Sequence, residues 1–257
     1  MKLNIVPART GFLWFKQGIQ TFGKQPLALT GLFFMYMASA SLLFLVPLIG
    51  SVLALSIVPA ATLGFMAATQ EAVKGKFPTP LLLLSAFRAG KAEMRSMMVL
   101  GFLYAACWVA IVLLAGVMVD LPAAPVDAKQ VPPGLLMAML LVVALYLPVS
   151  LAFWHAPALV HWHGVSPVKS LFFSVVACLR NWQAMMVYGL MWMALIFASG
   201  IAISTFAMMT GKPQISLAIA MPLSLLMTAM FSTSLYFTFR DSFVAAETPE
   251  PSPGDPT

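Results

Sequence analysis

PLALTGLFFMYMASASLLFLVPLIGSVLALSIVPAATLGFMAAT (26–69) runs without one Asp, Glu, Lys or Arg. About 20 apolar residues carry an α-helix across a hydrocarbon core roughly 30 Å thick. The stretch therefore holds two crossings and the turn between them. VPLIGS (46–51) supplies that turn through Pro47 and Gly50. The reading predicts spans at 27–47 and 49–68, joined as an antiparallel hairpin.

Four further windows have the same character: 97–119, 134–154, 184–207 and 215–237, again free of acidic and basic residues. The whole chain is 61% hydrophobic and 9% charged, with a mean hydropathy of +0.94. A soluble domain carries about 25% charged residues, so this composition cannot clothe a water-facing surface. The predicted fold class is all-α, a polytopic membrane helical bundle of six transmembrane helices.

Orientation follows from where Lys and Arg collect. With the N-terminus in the cytoplasm, Lys2, Arg9, Lys16 and Lys24 precede the first span. Lys74, Lys76, Arg88, Lys91 and Arg95 fall between the second and third spans. Lys169, Arg180 and Arg240 complete the same side, which leaves only Lys129 and Lys212 opposite. Both termini are thus expected to be cytoplasmic. Trp14, Trp154, Trp162 and Trp182 fall near that interface, where amphipathic indoles settle. The net charge of +6 is spread over juxtamembrane segments rather than gathered on a phosphate-tracking face. Nucleic acid is therefore excluded and anionic lipid headgroups are the expected partners; a protein partner stays open. No cleavable signal peptide is visible, because scattered basic residues precede a first apolar run long enough to remain in the membrane.

Three units recur. Each opens on a proline (Pro7, Pro80, Pro167), continues through about 15 residues of basic-containing helix, and enters a span with an early glycine (Gly31, Gly101, Gly189). The second span of each carries Pro59, Pro148 or Pro222. The units are about 7–68, 80–154 and 167–237, each a surface helix followed by a hairpin. They form one membrane domain (1–246), followed by an acidic Pro-rich tail (247–257) expected to be disordered. Prolines inside spans remove a backbone bond and predict kinks. In the first surface helix Phe12, Phe15, Ile19 and Phe22 share one face, and Lys16, Gln20 and Lys24 another, as in an interfacial helix. The third, 167–181, is apolar on most sides and is expected to be buried among other helices. Ala60, Gly64 and Ala68 form a small-xxx-small face that suits close packing within the subunit.

Residues with chemical potential are few. FWHAPALVHWHG (153–164) holds His155, His161 and His163. Three imidazoles invite a metal, but Pro157 interrupts the segment and no Asp, Glu or Cys lies within ten residues. Anchoring the end of span four, or a pH-responsive contact, are the other readings. Ser224, Thr228 and Ser232 form a stripe at four-residue steps in span six. It suits either a polar route or helix-to-helix hydrogen bonding. Cys107 and Cys178 are expected to be small packing residues, not a disulfide framework. No phosphate-binding glycine loop, zincin or hydrolase motif is present, so no catalytic residue, metal site or cofactor is assigned.

MKLNIVPARTG (1–11), PLALTGLFF (26–34), PAATLGFMAA (59–68), GKFP (75–78) and above all FWHAPALVHWHGVSPVKSLFFS (153–174) resemble an uncharacterised six-helix inner-membrane protein family of beta-proteobacteria. The resemblance covers nearly the whole chain and implies a bacterial plasma membrane. It carries over no catalytic or binding residue. The expected role is a non-enzymatic membrane component that organises lipid or a partner protein. The alternative is a transporter or channel for a small neutral or amphipathic molecule. A membrane enzyme built on the histidines is a third reading.

Overall fold

A computed structural model describes residues 2–118, 134–211 and 214–244, the side chains of 215 and 217 excepted. Most of the Pro-rich connection at 120–134, with Lys129 in it, lies outside the described residues, as do Lys212 and the tail at 247–257.

The described chain is helical almost throughout. In order it forms β1 (Lys2–Leu3), α1 (Arg9–Lys24), α2 (Pro26–Phe44), α3 (Gly50–Ser56), α4 (Val58–Val73), a 3-10 turn (Pro80–Leu84) and α5 (Ser85–Arg88). Then follow α6 (Lys91–Met118), α7 (Leu135–Trp154), α8 (Ala156–His163), α9 (Pro167–Arg180), α10 (Trp182–Thr210), α11 (Gln214–Ser242) and β2 (Phe243–Val244). Six helical stretches are long and apolar enough to cross a membrane: α2, α3 with α4, α6, α7 with α8, α10 and α11. The fold is an all-α polytopic bundle. Several helices run past the apolar windows, as α4 does to Val73 and α6 does from Lys91. A backbone ladder, once started, continues until a cap or breaker stops it, whatever the solvent.

Lipid-facing surface is plain in the outer helices, where Val117 and Met208 are each 83% exposed and apolar. At the other extreme, α4 packs against α2, α6, α8 and α11. Its sequence allows that central place. Ala60 and Ala68 are buried, and Gly64 lies so close to the 3-10 turn that an added Cβ would meet the Leu83 backbone at 2.8 Å. The small-residue face thus packs within the chain. Aromatic side chains fill the rest of the core, with Trp14, Tyr188, Trp192 and Phe237 in one cluster.

Proline acts unevenly. Span two is broken between α3 and α4 immediately before Pro59, whose missing N–H leaves the Leu55 carbonyl without its helical partner. By contrast, α7 and α11 run through Pro148 and Pro222, since one lost bond bends a helix without ending it. Span four breaks at His155 instead, ahead of Pro157.

The segments before the spans also differ from their sequence reading. In α1 the buried face is Gly11, Trp14, Gly18, Thr21 and Phe22, while Phe12 and Leu13 are exposed. Glycine decides this face, because it lets the α1 backbone close onto α10 at Ala184 and α11 at Ser234. The stretch 81–95 is divided by Gly90, at φ +137°, into the 3-10 turn with α5 and the first turn of α6. In α9 the buried side chains are small: Ser170, Ser174, Ala177 and Cys178. Val168, Phe172 and Leu179 point outward, so the apolar bulk of 167–181 covers the outside rather than the core.

Finally, β1 pairs antiparallel with β2, Lys2 opposite Val244 and Leu3 opposite Phe243. Asn4 extends the join, its N–H bonding the Ser242 carbonyl at 2.9 Å and its Nδ2 the Asp241 carbonyl at 2.8 Å.

Candidate functional site

The break at His155 is where the most unusual chemistry collects. In an unbroken helix the His155 N–H would bond the Leu151 carbonyl. Here the Ser174 hydroxyl of α9 sits between them. It donates to Leu151 O at 2.7 Å and accepts from His155 N at 2.9 Å. A side-chain hydroxyl is thus spliced into the backbone ladder of another helix, a recognised cause of kinks. Cys178, one turn further along α9, lies 3.8 Å from both Leu151 O and His155 Nδ1. Burial pushes its thiol pKa up to about 12, so it is held as a neutral packing group rather than a thiolate.

His155 is fully buried, its ring against Phe239 and Phe243. Its Nε2 lies 3.3 Å from Thr238 Oγ1. That hydroxyl gives its own proton to Leu235 O at 2.8 Å and also accepts from Trp154 Nε1 at 3.1 Å. With the Thr238 proton spent, the hydrogen bond requires the imidazole to carry a proton on Nε2. His161 is half-buried beside Trp162, and its Nδ1 has no partner among the described residues. His163 is exposed and stacks near Phe239 at 5.9 Å. His155 and His163 thus share Phe239 as a neighbour, while His161 lies against Trp162. Among the described residues no group of three His, Cys, Asp or Glu side chains is placed to hold a metal ion.

The hydroxyl stripe of α11 is likewise divided. Ser224 donates to Met221 O, Thr228 to Ser224 O and Ser232 to Thr228 O, at 2.7–2.8 Å, each within its own helix. Ser224 and Thr228 are exposed and Ser232 is buried. A second stripe, Ser234, Thr238 and Ser242, has the same four-residue spacing and reaches other helices. Ser234 pairs with Tyr188, Thr238 with His155 and Trp154, and Ser242 with Asn181. The sequence reading missed this stripe although its spacing was visible. Asn181 in turn fixes the N-terminal segment, accepting from Val6 N at 2.8 Å and donating to Asn4 O at 3.0 Å. Nearby, Trp14 Nε1 donates to Asp241 at 2.9 Å, and Arg240 pairs with the same carboxylate at 2.7 Å.

Of the concave regions among the described residues, two bear on binding. One, of about 350 Å³, lies where α4, α6, α7 and α11 meet, and Tyr104 and Tyr146 line it. None of Ser224, Thr228, Ser232 or the three histidines is on its wall. The other, of about 430 Å³, runs between α2, the α3–α4 break and the 80–88 segment, with Leu42, Ile57, Leu84 and Phe87 among its walls. A smaller hollow continues it past Phe87 to Met97 and Phe102.

A probable inner membrane protein of Burkholderia thailandensis is 39% identical to the chain over 259 residues, an alignment taking in 96% of each. No protein-family profile and no solved structure matches.

Proposed function

The chain belongs to the family of that Burkholderia inner membrane protein, a multi-pass membrane family, and from this premise we propose that it is a non-enzymatic component that gathers anionic lipid at its basic end. The observation that carries the reading is the apolar groove beside the 80–88 segment. Its walls are almost wholly hydrocarbon, and Leu84 and Phe87 reach into it from a segment that continues directly into Arg88, Lys91 and Arg95. Those three cations are exposed. An acyl chain in the groove would bring an anionic headgroup to them, each Lys or Arg near a lipid surface adding about 1 kcal/mol.

The same reading places both termini in the cytoplasm, on the charge asymmetry of the connections. The pairing of β1 with β2 supports their being on one side. Fusions of a fluorescent protein and of alkaline phosphatase after Val244 test this: fluorescence with no phosphatase activity is expected, and the converse would reverse the orientation.

Lipid selectivity is read by native mass spectrometry after extraction from vesicles of equal phosphatidylglycerol and phosphatidylcholine. The wild type should retain phosphatidylglycerol in several-fold excess. The triple variant Arg88→Gln, Lys91→Gln, Arg95→Gln should lose most of that preference while keeping its thermal midpoint. Equal retention of both lipids by the wild type would sink the proposal.

A further inference from the structure

From the 350 Å³ cavity we infer a second, independent function: binding of an uncharged, planar, carbonyl-bearing molecule inside the membrane, against the Tyr104–Tyr146 phenol pair. The two phenol oxygens lie 3.3 Å apart. Each phenol has one proton to give. Their mutual hydrogen bond uses one, and the other finds no acceptor among the described residues. Either phenol can hold this proton, and with Tyr104 7% exposed and Tyr146 half-buried it is screened from bulk water in both cases. A buried donor without a partner costs about 1–3 kcal/mol, which an incoming oxygen acceptor would recover.

The remaining walls narrow the ligand. Thr62 and Ser150 spend their protons on the Val58 and Leu147 carbonyls, at 3.0 and 2.7 Å, so they add acceptors but no donors. No charged residue lines the cavity, and an ion would have no counter-charge there. The walls come from membrane-spanning helices, so the ligand arrives through hydrocarbon. Phe153, Trp154 and Phe231 add aromatic rings to the lining, which suit a flat body. Tyr146 is braced from behind by Trp108, at 4.9 Å between ring centroids. Water is the bland occupant, but the volume exceeds the share of one water, about 30 Å³, by roughly tenfold. So few polar groups cannot hold a water cluster of that size. The cavity has the size and mostly apolar lining of a small-molecule site.

The test uses the full-length protein in detergent and duroquinone (tetramethyl-1,4-benzoquinone), whose substituted ring does not add thiols. Quenching of tryptophan fluorescence should saturate in the wild type. The double variant Tyr104→Phe, Tyr146→Phe keeps both rings and should weaken the apparent affinity about fivefold to tenfold, the loss of one neutral hydrogen bond. Should that variant fail to fold, Ser150→Leu, which fills the cavity from α7, decides instead and should abolish saturation. Linear quenching in the wild type overturns the inference, and so does unchanged affinity in whichever variant is folded. Lipid retention does not depend on these tyrosines, so this site and the lipid groove fail or stand separately.

Discussion

Ser174→Val should lower the thermal midpoint of the detergent-solubilised protein by on the order of 10 °C, whereas Ser174→Thr should lower it only slightly. Valine and threonine have nearly the same shape, so the comparison isolates the hydroxyl. In the wild type that hydroxyl completes two hydrogen bonds, to Leu151 O and from His155 N. Without it the His155 N–H loses its partner and Leu151 O keeps only the weak Cys178 thiol at 3.8 Å, in a buried site, at about 1–3 kcal/mol for each group. In a domain of this size each kcal/mol moves the midpoint by roughly 2–4 °C. Pro157 keeps the strand of helix from simply straightening, because it offers no N–H to Phe153 and its ring crowds that carbonyl. If the valine variant melts with the wild type, the ladder closes by itself and the α9 hydroxyl is not what maintains the break.

Gly18→Val should be at least as damaging. A Cβ at position 18 would collide with Ser234 Cβ and come within 2.9 Å of its Cα. Both α1 and α11 would have to separate, since neither contact belongs to a flexible chain end. Overpacking a well-filled site costs about 1–3 kcal/mol, and here the shift also disturbs the Tyr188–Ser234 hydrogen bond and the Trp14 cluster. Gly23→Ala on the same helix is the control. Nothing lies within 4 Å of its added Cβ, and alanine favours helix by about 1 kcal/mol over glycine. The expected result is a lowered midpoint with rapid trypsin cleavage at Lys16 or Lys24 in Gly18→Val, and none of this in Gly23→Ala. Equal stability of the two variants would mean that α1 does not rest on α11 as described.

The six membrane-length helices were legible because hydrocarbon imposes a one-dimensional requirement: a long run of residues free of charge. That requirement says nothing of which helix lies at the centre. The clue for α4 was the spacing of Ala60, Gly64 and Ala68, and small residues permit close approach without naming the partner. His155 illustrates the limit more sharply. Pro157 announced an irregularity, but the group that heals it, Ser174, stands on another helix and is indistinguishable in sequence from Ser170. Likewise Ser224–Thr228–Ser232 and Ser234–Thr238–Ser242 carry identical spacing. Only the neighbours on each face of α11 decide that the first bonds to itself and the second to Tyr188, His155 and Asn181. The α9 helix misled for a related reason. Its bulky apolar residues suggested burial, yet in a membrane the exterior is apolar too, and the inner face goes to small residues that pack closely. The phenol pair was invisible because Tyr104 and Tyr146 look like ordinary span aromatics until α6 and α7 are brought together.

The meeting of β1 and β2 has a consequence for biogenesis. Residues 2–4 leave the ribosome long before 241–244, yet they are hydrogen-bonded to them in the finished protein. The early segment must wait at the membrane surface, unlatched, until the sixth helix has been inserted. Closure of this molecule therefore follows insertion of the sixth helix, and a nascent chain stalled after five helices would present an unoccupied edge to whatever quality-control machinery surveys the bilayer.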